Sequence, residues 1–173
     1  MQNRLIIVAA VDLDARAAGV IQHAAKLAAL CQGDLLVAHV VDYSGGYEGD
    51  HVPLHRTQGV IGDMVDHARA SLADLVLELD LPAPQIAIRV EPGPTVDTLV
   101  ALVAAVQPRY LLLGHSRWGA LSPTSGLAGI LESRSSCEIL VVPRPAPASR
   151  PGLVQRLQHW LTSERRPVSP AAR

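Results

Sequence analysis

Five short apolar segments lie along residues 1–143, and each has the length of a β-strand. Little polar alternation interrupts most of them, and continuous apolar runs of this kind fit parallel strands that are covered on both faces. The segments are residues 5–11, 35–41, 86–90, 110–113 and 139–142. We therefore expect a five-stranded sheet buried between two other layers.

Helix-length segments separate the apolar runs. Residues 15–31, 58–79 and 95–106 have the length of helices, and a shorter segment covers residues 125–135. Strand–helix alternation with short links predicts an α/β fold, and right-handed crossovers restrict the strand order. We expect a three-layer sandwich around a doubly wound parallel sheet of order 3-2-1-4-5. The second helix shows the clearest apolar spacing, at Ile61, Met64, Val65, Ala68, Leu72, Leu75 and Leu79.

Two segments fall outside this alternation. Residues 42–57 contain three glycines and one proline, a composition that predicts a surface loop. Residues 143–152 contain four prolines, which suits an extended spacer. The chain is therefore expected to consist of one domain over residues 1–143 and a proline- and arginine-rich tail over residues 144–173.

The tail contains an apolar pattern of its own. Its apolar side chains recur at the spacing of one helical face and predict a short amphipathic helix at about residues 151–162. They are Leu153, Val154, Leu157, Trp160 and Leu161. So short a helix is marginal alone in water and needs packing to persist. The sequence leaves three docking surfaces open, namely its own domain, a dimer mate and another protein.

Charge is distributed unevenly between the domain and the tail. The whole chain has a formal net charge of −1, but residues 144–173 carry about +5 and the remainder about −6. A basic tail is suited to an acidic partner; the alternative is a solvated tail whose arginines mainly keep it soluble. Because the domain is acidic and the chain has no Phe and only five Tyr and Trp residues, we expect no nucleic-acid partner.

No signal-peptide-like leader precedes the domain, and no uncharged apolar run reaches eighteen residues. We therefore expect a cytoplasmic protein without a membrane span, in which Cys31 and Cys137 are free, buried thiols. His51 and His55 are four residues apart, but Pro53 between them opposes a helix that would align their rings, so we expect no metal site.

The fold predicts where a ligand would bind. In an open parallel sheet, ligands bind beyond the carboxyl ends of the strands where the strand order reverses, here between the first and fourth strands. Asp12 follows the first strand, Val40 ends the second, and Leu113 and Gly114 close the fourth. Asp12 can accept hydrogen bonds from an adenine amino group or from ribose hydroxyls. Alternatively, Asp12 or Asp14 caps the following helix.

The segment between the fourth strand and the last helix could approach a phosphate. Gly114 and Gly119 allow backbone amides close to an anion, and the residues just before the last helix, Ser122, Thr124, Ser125 and Gly126, supply further hydroxyls and amides. Ser125 offers a hydroxyl, and Arg117 offers a charged donor, although rim arginines are also commonly solvated. His115 lies on the same rim, but no nucleophile and carboxylate accompany it, so catalysis is not indicated. His39, inside an apolar strand, is expected to make a buried hydrogen bond.

These residues resemble the universal stress protein pattern. The resemblance rests on Val-Asp closing the first strand, Ala-His-Val-Val in the second, Leu-Leu-Gly-His in the fourth and Ser-Cys-Glu-Ile-Leu-Val-Val-Pro at the end, over about residues 4–143. It implies a flavodoxin-like, adenine nucleotide alpha hydrolase-like sandwich. It also implies dimerisation through the last strand, residues 138–142, placed beside its copy across a two-fold axis.

The same resemblance bears on nucleotide binding. Family members divide into ATP binders and a UspA-type subclass, and the binders share Gly-x-x-Gly followed nine residues later by Gly-Ser or Gly-Thr. Gly114 matches, but Arg117 stands at the second glycine position and Ser125-Gly126 replaces Gly-Ser. The chain thus looks closer to the UspA-type subclass, with a degenerate ATP motif. The implied function is a non-enzymatic regulatory module without a certain cofactor; the alternative is an ATP- or AMP-binding sensor.

Overall fold

The computed structural model describes residues 4–43, 54–115 and 126–143. Within them, the strands are β1 (Ile6–Ala10), β2 (Asp34–Val41), β3 (Ile86–Pro92), β4 (Tyr110–Gly114) and β5 (Glu138–Val142). The helices are α1 (Ala17–Cys31), α2 (Leu54–Glu78), α3 (Thr95–Val106) and α4 (Leu127–Arg134). All strand pairs are parallel, and the order β3-β2-β1-β4-β5 confirms the expected α/β fold.

Helix α2 begins earlier than the sequence pattern indicated. The expected start was residue 58, whereas the helix begins at Leu54. The assignment of residues 54–57 to the surface loop is therefore wrong. His55, interpreted as a loop residue, lies in this helix. The physical reason is that Pro53 immediately precedes Leu54, and a proline beside a helix start costs no intrahelical hydrogen bond.

Two apolar layers enclose the sheet. Alternate residues of β1 divide between them, because Ile7 and Ala9 join the layer of α1 and α2, whereas Val8 and Ala10 join the layer of α3 and α4. All four side chains are buried. A central parallel strand that is covered on both faces has no solvent-exposed side chains, and this explains its continuous apolar sequence.

Strand β3 is covered on one face only. Ile86, Ile88 and Val90 pack into the layer of α1 and α2. Ala87 and Arg89 point the other way and are exposed, and within the described residues no side chain of β3 belongs to the layer of α3 and α4. We call the surface formed by Ala87 and Arg89 the open face of β3.

Two further expectations concern the cysteine thiols and the hydropathy of the helices. Cys31 and Cys137 are free, as expected, but both are half-buried rather than buried, so that part of the expectation is wrong. Cys31 is the last residue of α1, and Cys137 immediately precedes β5. In the described parts of the chain, none of the helices combines the length and the hydropathy that a membrane crossing requires.

Gly33 occupies a tight junction between α1 and β2. A Cβ atom there would lie 2.6 Å from the carbonyl oxygen of Leu5, which also accepts the backbone N–H of Asp34 at 2.8 Å. We expect Gly33→Ala to lower the free energy of unfolding by about 1–3 kcal/mol in urea denaturation, because backbone must move. Gly62→Ala, in α2 with nothing within 4 Å, is the control and should raise stability by about 0.5–1 kcal/mol. Unchanged stability of Gly33→Ala would contradict the expected clash.

Candidate functional site

The carboxyl ends of β1, β2 and β4 form one edge of the sheet. Strand order reverses at β1, which has β2 on one side and β4 on the other. Ala10 pairs with both Ala38 and Leu113, so these three residues lie at the same level of the sheet. One or two residues further along the chain from each come Asp12, Val40 and Gly114, which therefore lie at the same edge. We call this edge the carboxyl rim. It is the position at which a doubly wound sheet binds its ligands.

The turn after β1 gives α1 no side-chain cap, so the expected capping role of Asp12 or Asp14 is wrong. The backbone N–H of Arg16, which precedes α1, donates to Oδ1 of Asp14 at 2.8 Å, and the N–H of Ala17 donates to the carbonyl oxygen of Asp14 at 3.0 Å. The first bond goes to the N-cap residue itself and the second uses a main-chain oxygen, so Asp14 orders the turn before α1 without capping the helix with its side chain. The side chain of Asp12 is exposed on the carboxyl rim.

Arg16 bridges the crevice between β1 and β4. Its Nε donates to Oδ2 of Asp14 at 2.8 Å, its Nη2 reaches the same oxygen, and its Nη1 donates to the carbonyl oxygen of His115 at 2.9 Å. The hydrogen bond to Asp14, followed by the charge of Asp14, raises the pKa of Arg16 above its ordinary value; desolvation opposes this rise, and the charge of Asp12 adds the smallest contribution to it. The guanidinium is therefore a permanent positive charge at the carboxyl rim.

This bridge was not predicted from the sequence. The partner of Arg16 on β4 is a backbone carbonyl 99 residues away, and such a contact leaves no mark in the side-chain pattern. The only local sign is the spacing of Asp14 and Arg16, which allows a carboxylate to meet both the amide and the guanidinium of one residue.

Two side chains of β2 and its following turn have structural partners. Nδ1 of His39 lies 2.8 Å from the carbonyl oxygen of Val11, which confirms the expected hydrogen bond, although the histidine is only partly buried. Oδ2 of Asp42 accepts the backbone N–H of Thr95 at 3.0 Å and its hydroxyl at 2.7 Å. Asp42 thereby satisfies an amide at the start of α3, where a carboxylate is also favoured by the helix dipole.

The end of β4 is closely packed. Leu113 is buried, and a Cβ atom on Gly114 would lie 3.3 Å from Cγ2 of Val20 in α1. Beyond it, the N–H of His115 donates to the carbonyl oxygen of Val142 at 3.2 Å, which ties the rim to β5. Gly126 precedes α4 in an extended conformation, and its carbonyl oxygen accepts the N–H of Ile130.

Five of the seven predicted site residues lie in the described part of the chain. Asp12, Val40 and Gly114 share the carboxyl rim, Leu113 lies just beneath it, and Gly126 begins α4. The other two, Arg117 and Ser125, lie outside the described residues, as do the neighbouring Gly119, Ser122 and Thr124. Within residues 4–43, 54–115 and 126–143, no group of three or more His, Cys, Asp or Glu side chains could hold a metal ion.

Comparison with solved structures places the fold among known relatives. The Universal stress protein UspA from Lactobacillus plantarum is 17% identical, with a TM-score of 0.62 over 82% of this chain and 99% of that one. A protein of the universal stress protein family from Burkholderia pseudomallei is 15% identical, with a TM-score of 0.59 over 83% and 99%. A universal stress protein in complex with cAMP is 19% identical, with a TM-score of 0.52 over 82% and 98%.

At these identities, the structural likeness concerns the fold alone. No curated protein sequence matches the chain. The family comparison is more specific, because residues 4–143 match the Usp model, the universal stress protein family, and thus include every described strand and helix. This chain belongs to the universal stress protein family.

Proposed function

We propose that this chain is a cytoplasmic, non-enzymatic regulatory module of the stress response that acts as a homodimer. The observation that supports dimerisation is the apolar edge at β5, which, among residues 4–43, 54–115 and 126–143, pairs with β4 on one side only. Val141 on β5 is 44% exposed, and Ile130 on the neighbouring α4 is 39% exposed. An exposed apolar edge strand is an association hazard that pairing with a second copy removes.

The interface proposed is the pairing of two β5 strands, Glu138–Val142, across a two-fold axis. Such a pair gives the edge hydrogen-bond partners and covers Val141 in both copies. Light scattering on the full chain should give twice the 18.4 kDa of one chain at micromolar concentrations. A mass of 18.4 kDa under those conditions would remove the dimer from the proposal.

The absence of catalysis in this proposal is supported by what the rim side chains already do. The side chains of Asp14 and Arg16 are hydrogen-bonded to each other, and Nδ1 of His39 is hydrogen-bonded to a backbone carbonyl oxygen. A general base needs a free position facing a substrate, and these groups instead have structural partners. The carboxyl rim therefore fits a binding or regulatory surface better than an active site.

A second candidate is an adenine-nucleotide sensor whose partner contacts depend on ATP or AMP. The observation that favours it is the exposed carboxylate of Asp12 at the strand-order reversal, and a protein of similar fold forms a complex with cAMP. In this candidate, Asp12 contacts the adenosine and the backbone of Val40 contacts the base. Gly114, Arg117, Ser125 and Gly126 are expected to surround the phosphates, and Leu113 is expected to contribute to the same nucleotide site.

Replacing Asp12 by Ala tests this second candidate. If Asp12 accepts ribose or adenine hydrogen bonds, titration calorimetry with ATP and AMP should show about 10- to 150-fold weaker binding in Asp12→Ala, since a hydrogen bond to a charged group contributes about 1.5–3 kcal/mol. Asp63→Ala, at an exposed position of α2, is the matched control and should bind like the parent chain. Absence of heat at millimolar nucleotide removes the sensor, and equal affinity of Asp12→Ala removes the role of Asp12.

We further propose that the domain ends near residue 143 and that the amphipathic segment 151–162 is where another protein docks. The supporting features are the apolar stripe, the proline-rich spacer that precedes it and the positive charge of residues 144–173. The closeness of the chain to the UspA-type subclass is part of the same proposal, because it rests on the altered positions Arg117 and Ser125.

A further inference from the structure

A groove lies at the amino ends of β2 and β3, at the opposite end of the sheet from the carboxyl rim. Its volume is about 440 Å³, which is in the range of pockets that bind small ligands or several side chains. It is lined mainly by Ile6, Leu36, Ile86, Ala87 and Val106. The groove adjoins the open face of β3, so apolar side chains of the sheet are uncovered there.

We propose that this groove is the docking site of the chain's own segment 151–162, with Trp160 as its anchor. The segment offers one apolar face, in which Leu157, Trp160 and Leu161 are adjacent at helical spacing. Packing that face against the groove covers both apolar surfaces at once. A large aromatic side chain contributes the most to such a contact, because it buries about 150–250 Å².

The length of chain beyond the described domain exceeds the straight-line distance from Pro143 to the groove. Val141, Leu113, Ala10 and Ala38 are level across the sheet, so Pro143 lies three strands and about five residues away from Leu35. At about 4.8 Å per strand and 3.3 Å per residue, the separation is about 22 Å. The nine residues 144–152 can span about 28 Å in polyproline II geometry, and the segment up to Trp160 adds more.

Charge favours the same placement. Residues 144–173 carry about +5 and the rest of the chain about −6, so the tail is attracted to the domain. The groove itself includes Asp34, whose carboxylate is paired with Arg4 at 3.2 Å and is still accessible to solvent. Local charges at the groove are balanced, because Arg4 pairs with Asp34 and Arg89 on the open face of β3 pairs with Glu91 at 2.6 Å, so the attraction comes from the net charge of the domain.

Docking in the groove would regulate the proposed contact with another protein. One apolar face cannot cover the groove and bind a partner at the same time, so a partner must displace the segment and binds with correspondingly lower affinity. This regulatory consequence rests on the proposed function, whereas the packing of Trp160 does not. The two can therefore fail separately.

Fluorescence of Trp160 in the full chain tests the packing. The chain has two tryptophans, so Trp118→Phe leaves Trp160 as the only one. In this parent, Trp160 should emit at short wavelength and resist acrylamide quenching. Ala87→Glu places a charge in the groove at an exposed position of an edge strand, and it should shift the emission to that of tryptophan in water and raise the quenching constant about threefold.

Two further variants keep this test independent of folding. Ala70→Glu makes the same change at an exposed position of α2, behind the other face of the sheet, and should leave Trp160 protected. Leu157→Glu changes only the segment and should expose Trp160 as Ala87→Glu does. Circular dichroism should show an unchanged domain in all three.

The inference is overturned if Trp160 is solvent-exposed in the parent, or if it stays protected in a folded Ala87→Glu. It is also overturned if Val141→Arg produces a monomer in which the protection is lost, since the segment would then belong to the groove of a second copy. A parent chain that is monomeric but protects Trp160 contradicts the proposed dimer and leaves the groove assignment standing.

Discussion

Replacing Val141 by Arg is expected to convert the dimer into a folded monomer. Val141 is 44% exposed on the outer strand β5, so the single chain tolerates a longer polar side chain there. In a two-fold pair of β5 strands, the two arginines would lie close together in an interface that excludes water. Burying unpaired like charges costs several kcal/mol, and the dissociation constant should rise at least about 100-fold, which corresponds to about 2.7 kcal/mol.

The matched control is Val60→Arg. Val60 lies on α2 with 42% exposure, so the same chemical change is made at nearly the same exposure but away from β5. Light scattering and sedimentation should show a dimer for Val60→Arg and a monomer for Val141→Arg, with unchanged circular dichroism in both. A folded Val141→Arg that remains dimeric would place the interface at another surface, of which the outer strand β3 is the first to test.

Leu131→Ala is expected to cost the most stability among single truncations in α4. Leu131 is fully buried and is the one buried residue of this eight-residue helix. A helix of two turns does not persist by itself in water, so its packing holds it in place. Truncating a buried leucine to alanine typically lowers the free energy of unfolding by about 2–5 kcal/mol. The ion pair from Arg134 to Asp97, at 2.8 Å, is exposed and contributes at most about 1 kcal/mol.

Leu77→Ala is the control for Leu131→Ala. The substitution is identical, but Leu77 is 80% exposed, and its truncation should change the free energy of unfolding by less than about 0.5 kcal/mol. Urea denaturation followed by circular dichroism measures both. Similar losses for the two variants would mean that α4 detaches without weakening the sheet, and amide hydrogen exchange confined to α4 would reveal that detachment.

The sheet could be predicted from the sequence because its inner strands are buried on both faces. Residues such as Ile7 and Val8, which point to opposite layers, are both apolar, and the continuous run is itself the signal. The strand order then followed from the alternation with helices, and Asp12, Val40 and Gly114 could be placed on one rim before any contact was known. These features depend on local sequence and chain connectivity alone.

Other features depend on contacts between distant parts of the chain. The bridge from Arg16 to the carbonyl oxygen of His115 and the cap of Asp42 on Thr95 both use backbone groups, which any residue could supply. The open face of β3 did leave a signal, because residues 86–91 alternate apolar and small or charged side chains. That alternation indicates a strand covered on one side only. We instead predicted a strand buried on both faces, because the other strands show continuous apolar runs.

The parallel pairing of β1 has a consequence for how the chain folds during synthesis. Strand β1 lies in the centre of the sheet, but its second neighbour is β4, and Ile7 must wait for Tyr110 to be made. At about 5–20 residues per second, the ribosome takes about 5–20 s to supply that partner. Pairings this far apart in sequence also form slowly, because loop closure costs entropy before any contact is gained. A nascent chain that stops before β4 therefore carries the most apolar strand of the protein with an unpaired edge, and such fragments should aggregate unless a chaperone holds them.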